Sequence, residues 1–74
     1  MNKYIVTAPD GTIHKRNTQN HTYNYVVLYM SADKGSWFVE GWRRDLKAAE
    51  QLANKLATHP RVDQAIVLET TQVN

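Results

Sequence analysis

Hydrophobic and polar residues alternate over most of the first 43 positions, and this pattern predicts β-strands. Four segments share it and are predicted as strands: residues 3–8, 12–16, 22–31 and 37–43. Pro9-Asp10-Gly11 and the Asp33-Lys34-Gly35 segment within 32–36 have the composition of tight turns. Because tight hairpins join antiparallel neighbours, we expect the sheet to be mostly antiparallel.

The third predicted strand, residues 22–31, is apolar on both faces and should lie centrally. Alternation divides it into two sets, one with Tyr23, Tyr25, Val27 and Tyr29 and the other with Val26, Leu28 and Met30. One helix covers only one face of a sheet. We therefore expect a second copy of the chain to cover the other face, which predicts a homodimer.

A helix of about 13 residues follows, because apolar residues recur at helical spacing. Asp45 is the predicted N-cap, and Thr58-His59-Pro60 ends the helix, since the residue before proline avoids the α region. We expect Leu52 and Leu56 to form the helix side of the core. The apolar face consists of Leu46, Ala49, Leu52, Ala53 and Leu56.

Residues 62–70 are predicted to form the last strand, and residues 71–74 are predicted to be a frayed tail. The predicted fold is a single α+β domain of order ββββαβ, a mostly antiparallel sheet of four to five strands with one helix on one face. Pairing the last strand with the first gives the order 5-1-2-3-4, which we prefer. Placing the last strand beside the fourth, through a parallel crossover, is the alternative.

Composition excludes several classes of protein. The 74 residues include no cysteine, which excludes disulfides and thiolate chemistry. No apolar run reaches about 18 residues, so no transmembrane helix is predicted. The first residues lack the apolar core of a signal peptide, and a cytoplasmic location is expected.

Catalytic and metal-binding signals are weak. His14 and His21 are seven residues apart, which is not a standard zinc spacing. Ser31, His21 and Asp33 could be combined into a triad, but no nucleophile-elbow motif accompanies them. The three glycines stand singly, so there is no phosphate-binding loop. We expect no enzyme activity, no cofactor and no metal.

Charge is distributed unevenly along the chain. Residues 1–44 carry six basic against three acidic side chains, and residues 45–74 carry three against four. Basic and aromatic side chains interleave in the first part. Such a surface is typical of protein interfaces, and it also suits weak nucleic-acid binding through phosphate contacts and base stacking. The predicted binding residues are Lys15, Arg16, Tyr23, Tyr25, Tyr29, Trp37, Trp42, Arg43 and Arg44.

One resemblance covers most of the chain. Its motifs are Lys3-Tyr4-x-Val6-x-x-Pro9-Asp10-Gly11, then Arg16-x-Thr18 and Thr22-Tyr23-x-Tyr25, with an Ala-Ala-Glu-x-Leu-Ala helix before a valine-rich strand. In these features the chain resembles small uncharacterised bacteriophage-encoded proteins. The resemblance implies an accessory protein, located in the host cytoplasm, that binds a host or phage protein and modulates or inhibits it. It assigns no functional residues.

Overall fold

The structure, a computed structural model, describes residues 1–73 and contains six strands and one helix. In chain order the elements are β1 (Asn2–Thr7), β2 (Ile13–Thr18), β3 (Tyr25–Ser31), β4 (Trp37–Arg43), α1 (Leu46–Ala57), β5 (Val62–Glu69) and β6 (Thr71–Gln72). The order is therefore ββββαββ. The predicted bounds of β4 are confirmed, and the other predicted strands differ at their ends or begin later.

The strands form two antiparallel sheets, so the prediction of one sheet of four to five strands is wrong. One sheet has the order β2-β1-β6 and the other the order β4-β3-β5. We call them the N-terminal sheet and the central sheet. The predicted central position of β3 is confirmed within its own sheet. The polar segment between β2 and β3 does not join them as a hairpin but carries the chain from one sheet to the other.

The last long strand lies beside β3, so both predicted strand orders are wrong. β5 pairs antiparallel with β3 along the length from Tyr25 to Ser31. Since β4 also runs antiparallel to β3, β4 and β5 are parallel to each other, with β3 between them. Helix α1 makes the crossover between these two parallel strands.

The predicted frayed tail is partly ordered. Residues Thr71–Gln72 form β6, which pairs with Tyr4 and Ile5 of β1, and the Val73 N–H donates to the Lys3 carbonyl at 2.9 Å. The chain thus returns to the N-terminal sheet after β5. Asn74 lies outside the described residues.

Aromatic and aliphatic side chains fill the space between the two sheets. Tyr4, Val6 and Ala8 approach from the N-terminal sheet. Val26 and Leu28 of β3 are fully buried beneath them. The face that we expected a second copy to cover is therefore covered by the chain's own N-terminal sheet. The predicted homodimer stays a prediction, and its argument from an uncovered face is wrong.

A second core lies between α1 and the opposite face of the central sheet. Ala49 and Ala53 are buried against Val27, which confirms the predicted face. Leu52 and Leu56 pack at the margin and are only half-buried. Leu46, at the start of α1, is 46% exposed, so the prediction that it belongs to the buried stripe is wrong. Small alanines at the centre let the helix lie close to the sheet.

Strand β4 contains a bulge at Glu40. Leu28 pairs with Val39 and Val27 pairs with Gly41, which leaves Glu40 as an extra residue. Strict alternation from Trp37 would place Trp42 on the opposite face of the sheet. The extra residue restores Trp42 to the inter-sheet face, where both tryptophans are buried.

The turn between β1 and β2 is held by Asp10. The Thr12 N–H donates to Asp10 Oδ1 at 2.9 Å, and Gly11 adopts a positive φ of 90°. The hydrogen bond from the Thr12 backbone N–H is the main reason that the pKa of Asp10 lies below its ordinary value of 3.8. A depressed carboxyl pKa stabilises the fold above that ordinary value, and the stabilisation is lost as the pH falls through the lower, folded pKa.

Asp10→Ala is accordingly expected to reduce stability slightly at neutral pH. The difference from the unaltered chain should shrink as the pH falls below 3.8, the ordinary pKa of the group. Urea denaturation at a series of pH values measures both quantities. A difference that is the same at every pH would show that the charge of Asp10 does not stabilise the turn.

Candidate functional site

A cavity of about 340 Å³ gathers four of the nine predicted binding residues at the free edge of β4. We call it the Tyr23 cavity. It is lined by Arg16, Tyr23, Val39, Glu40, Gly41, Trp42 and Arg43. Arg16 comes from β2 and Arg43 from β4, so two residues that are 27 positions apart in the sequence, one from each sheet, line the same cavity.

The Tyr23 ring is the centre of a side-chain cluster. The Arg16 guanidinium carbon lies 5.4 Å from the ring centroid, and the His21 ring stacks on Tyr23 at 5.8 Å with an angle of 5°. The Tyr23 ring makes a T-shaped contact with Tyr4 and also contacts Trp42. Such cation–π and ring contacts hold an exposed basic group in one place. Arg16 is thereby positioned over the cavity.

Tyr23 lies before β3 begins and packs with the inter-sheet core. The prediction that it shares a face with Tyr25, Val27 and Tyr29 is therefore wrong. Alternation fixes a face only while the strand is regular, and Tyr23 belongs to the irregular segment that links the two sheets.

Arg43 is placed by its own backbone and by a glycine. Its Nη1 donates to the Trp42 carbonyl at 2.9 Å. A Cβ atom on Gly41 would lie 2.8 Å from that Nη1 and 3.2 Å from Leu52 Cδ2. The missing side chain of Gly41 therefore leaves the space in which the guanidinium lies. Arg43 sits partly buried at the rim of the cavity.

The structure does not bring the predicted aromatic residues onto one open surface. Trp37 and Trp42 are core residues, with 7% and 8% of their surfaces exposed. Tyr25 packs on the helix side of the central sheet. Tyr29 pairs with Phe38 at 5.6 Å at the other end of β3. The expectation of an exposed aromatic face for base stacking is therefore wrong.

Two predicted basic residues lie apart from the cavity. Arg16 pairs with the buried Tyr4 on the inner face of the N-terminal sheet, whereas Lys15 pairs with Ile5 on the outer face. Arg44 is exposed just before α1, and its carbonyl accepts from Asn24 Nδ2 at 3.1 Å. Adjacent basic residues in the sequence thus point to different surfaces.

The side chains that line the cavity include two guanidinium groups and one carboxylate, that of Glu40. Neither guanidinium, Arg16 or Arg43, lies within 4.0 Å of a carboxylate oxygen of residues 1–73. Both keep N–H donors free for a planar acceptor such as a carboxylate or a phosphate. Across this same described stretch, no three His, Cys, Asp or Glu side chains come together to hold a metal ion.

The residues of the possible triad are distributed over both ends of β3. His21 contacts Thr18 and stacks on Tyr23 near the start of the strand. The Ser31 Oγ, at the end of β3, accepts from the Asp33 N–H at 3.3 Å. The hydroxyl therefore interacts with the backbone of its own loop.

Three residues that shape the Tyr23 cavity were not predicted from the sequence. Glu40 enters it because it is the bulged residue, and Gly41 makes room for Arg43. His21 supports the Tyr23 ring from the segment between the sheets. The available signal in the sequence was a glycine and an acidic residue beside a tryptophan within a predicted strand. Glycine inside a strand often marks a bulge or a site where another group approaches the backbone closely.

Comparison of the chain with family models, with curated proteins and with solved structures finds no match. Within residues 1–73, no helix is both long enough and apolar enough to cross a bilayer.

Proposed function

We propose that this chain is a non-enzymatic binding module that recognises a protein through the Tyr23 cavity. The observation that carries the proposal is the convergence of Arg16 and Arg43, from two different sheets, on one cavity with a partly exposed aromatic ring. Arginine and tyrosine are enriched among the residues that dominate binding energy at protein interfaces. The partner group that suits the cavity is a carboxylate side chain.

The finer proposal concerns biological context. The resemblance to small bacteriophage-encoded proteins supports an accessory protein that modulates or inhibits a host or phage protein in the host cytoplasm. This rests on turn and strand motifs, such as Pro9-Asp10-Gly11, and on no catalytic motif.

Nucleic-acid binding is the second candidate function, because Arg16 and Arg43 suit phosphate as well as carboxylate. The ring contacts weigh against it. His21 and Arg16 already lie against the Tyr23 ring on which a base would stack. Stacking supplies much of the affinity of single-strand binders, so phosphate contacts alone should bind weakly.

The double variant Arg16→Lys and Arg43→Lys should impair binding of a protein partner at least about tenfold, or about 1.4 kcal/mol. Lysine keeps the charge but loses the planar, bidentate donor geometry. The measurement is capture of a stoichiometric partner from nuclease-treated bacterial lysate, followed by titration of that partner. Arg44→Lys is the matched control, since Arg44 is exposed and outside the cavity. Equal loss in both variants would contradict the proposed site.

Titration of labelled random oligonucleotides tests the second candidate. We expect a Kd no better than about micromolar at physiological salt, and a slope of roughly −2 to −3 in log affinity against log salt, as two or three phosphate contacts require. The Arg16→Lys and Arg43→Lys changes should leave this binding nearly unchanged, because the charge remains. A nanomolar affinity that is lost when Lys15, Arg16, Arg43 and Arg44 are replaced by alanine would make nucleic-acid binding the primary function.

A further inference from the structure

Four strands of the described chain stand at the edge of a sheet: β2 and β6 in the N-terminal sheet, β4 and β5 in the central sheet. The outer backbone groups of an edge strand can pair with a further strand, and proteins prevent this with short strands, charged side chains or bulges. Strand β6 has two residues. Strand β2 carries His14, Lys15 and Arg16, and β4 has its bulge at Glu40.

Strand β5 has none of these protections over most of its length. Its register with β3 is regular from Gln64 to Glu69, and its one irregularity, at Asp63, comes before this stretch. The centre of the strand, Ala65-Ile66-Val67-Leu68, contains no charge, glycine or proline, and all four residues are half-buried. A long, regular and apolar edge strand is a site at which another strand can add.

The backbone groups that face the free edge of β5 follow from the pairing with β3. The Thr70 N–H donates to the Asn24 carbonyl at 3.0 Å, so Thr70 points toward the β3 side. The backbone groups of an antiparallel strand point alternately to its two sides. The residues that point outward are therefore Ala65, Val67 and Glu69. No strand within residues 1–73 pairs with β5 on that side.

Strand β1 does not cover this edge. It pairs with β6 at Tyr4 and Ile5, and the pairing stops there, although β1 continues to Thr7. Val6 and Ala8 then pack into the core between the sheets, and β1 does not run beside β5. The edge of β5 is thus left open where β1 turns over the core.

A cavity of about 470 Å³ lies next to this edge, between α1 and β5. Its lining includes Leu46 and Glu50 of α1, Tyr25 of β3, and Ala65, Val67 and Glu69 of β5. The three residues that offer outward backbone groups therefore also form a wall of the cavity. A strand that pairs with them would have its alternate side chains beside this cavity.

The cavity suits a long cationic side chain. Glu50 and Glu69 are exposed, and no basic side chain lines the cavity. Neither carboxylate lies within 4.0 Å of a Lys, Arg or His nitrogen of the described residues. Leu46, which is 46% exposed, and Val67 provide apolar surface beside them. Lysine and arginine combine an apolar stem with a charged end, which matches this arrangement.

The same charges disfavour a second copy of the chain at this edge. Two β5 strands related by a two-fold axis would bring identical residues together along one seam. Each copy would contribute Asp63 and Glu69 from β5 and Glu50 from α1, with no basic residue in the cavity. Like charges across a strand pair are destabilising. Charge complementarity therefore selects a basic strand.

We propose that the outer edge of β5 binds an extended basic segment of a partner protein. The segment adds to the central sheet as a fourth strand and places a Lys or Arg side chain in the cavity between α1 and β5. Backbone hydrogen bonds supply affinity in this mode of recognition, and alternate side chains supply specificity. The surface shares no lining residue with the Tyr23 cavity, so the inference goes beyond the proposed function and does not depend on it.

A displayed library of random octapeptides, selected against the full chain, is the first test. Peptides with Lys or Arg at every second position and apolar or β-branched residues between them should be enriched. A fluorescein-labelled copy of the most enriched peptide gives a Kd by anisotropy. A control peptide of the same composition with its basic residues consecutive should bind at least about fivefold more weakly, because its side chains no longer alternate. Equal binding of the two peptides, or no enrichment of basic peptides, would overturn the inference.

Variants of the two glutamates locate the bound peptide. Glu50→Gln with Glu69→Gln should weaken the selected peptide at least about fivefold, because both carboxylates line the cavity. Asp33→Asn with Glu40→Gln removes the same charge from exposed positions outside it and should change the Kd less than about twofold. Equal weakening in both pairs would mean that net charge alone attracts the peptide, which would contradict the proposed site.

A proline on the free edge tests the backbone contribution. Ala65→Pro removes an outward N–H, at a position of an edge strand where proline is tolerated, and should abolish peptide binding. Circular dichroism verifies the fold of this variant. Should it fail to fold, a synthetic chain with an N-methyl group on Val67 blocks the same edge and keeps every side chain. Undiminished binding to either folded variant would show that no strand is added.

Sedimentation and the arginine variants complete the test. A dimer of the unaltered chain that is lost on blocking the edge would show that a second copy occupies it, and would overturn the inference. The Arg16→Lys and Arg43→Lys variant should bind the basic peptide as the unaltered chain does. If that variant loses a captured protein partner and the β5 edge binds no basic peptide, the proposed function stands and this inference is wrong.

Discussion

Truncation of Leu28 to alanine is expected to lower the free energy of unfolding by about 2–5 kcal/mol. Leu28 is fully buried on the inter-sheet face of β3, so its loss leaves a cavity between two sheets that cannot close freely. A protein of this length has a total stability of about 0.05–0.15 kcal/mol per residue. The variant should therefore be largely unfolded under conditions in which the unaltered chain is folded, as urea denaturation will measure.

Three leucines of α1 provide the matched controls. Leu46→Ala should lower the free energy of unfolding only slightly, because that side chain is 46% exposed. Leu52→Ala and Leu56→Ala should each cost less than Leu28→Ala, since both leucines are half-buried at the margin of the helix core. Partial burial therefore places both expected losses of stability below the range of about 2–5 kcal/mol that is typical for truncation of a fully buried leucine. A larger cost for either helix leucine than for Leu28 would contradict the described division of the core.

Deletion of Val39 is expected to unfold the chain, whereas deletion of Glu40 is expected to preserve the fold. Without Glu40, Val39 and Gly41 become adjacent and β4 pairs with β3 residue by residue, still with both tryptophans on the core face. Without Val39, Glu40 takes the position opposite Leu28. A carboxylate then enters the apolar space between the sheets, which costs several kcal/mol.

The two deletion variants have the same length, so chain shortening itself is controlled. Near-UV circular dichroism follows the packing of Trp37 and Trp42, and urea denaturation gives the free energies of unfolding. Equal stability of the two variants would show that Glu40 is not the extra residue. The exposed substitution Glu40→Ala should change stability by no more than about 0.5 kcal/mol, as for ordinary surface positions.

The sequence predicted four of the residues that line the candidate site, but it did not predict their roles. Arg16, Tyr23, Trp42 and Arg43 were all expected at a binding surface, and they line one cavity. Their roles differ from the expectation, because Trp42 is a buried wall and Tyr23 supports a guanidinium rather than offering a stacking surface. A list of basic and aromatic residues does not say which of them point into the core, since that depends on the register of each strand.

Local patterns determined several of the individual elements. The turn at Pro9-Asp10-Gly11, the bounds of Trp37–Arg43 and the helix after Asp45 follow from turn chemistry, alternation and helical spacing, which act between near neighbours. Asp45 occupies the N-cap position of α1, as predicted, but its side chain makes no capping hydrogen bond.

Tertiary structure decided which strands pair and what covers each face. The pairing of β5 with β3 joins residues about 40 positions apart, and β6 returns to β1 across almost the whole chain. Several strands here are apolar enough to pair with several others, so local pattern does not choose among them. The choice follows from burying both faces of β3 at once, with α1 on one side and the N-terminal sheet on the other. That burial is a property of the whole chain, because a short domain must enclose its apolar surface with the few elements it has.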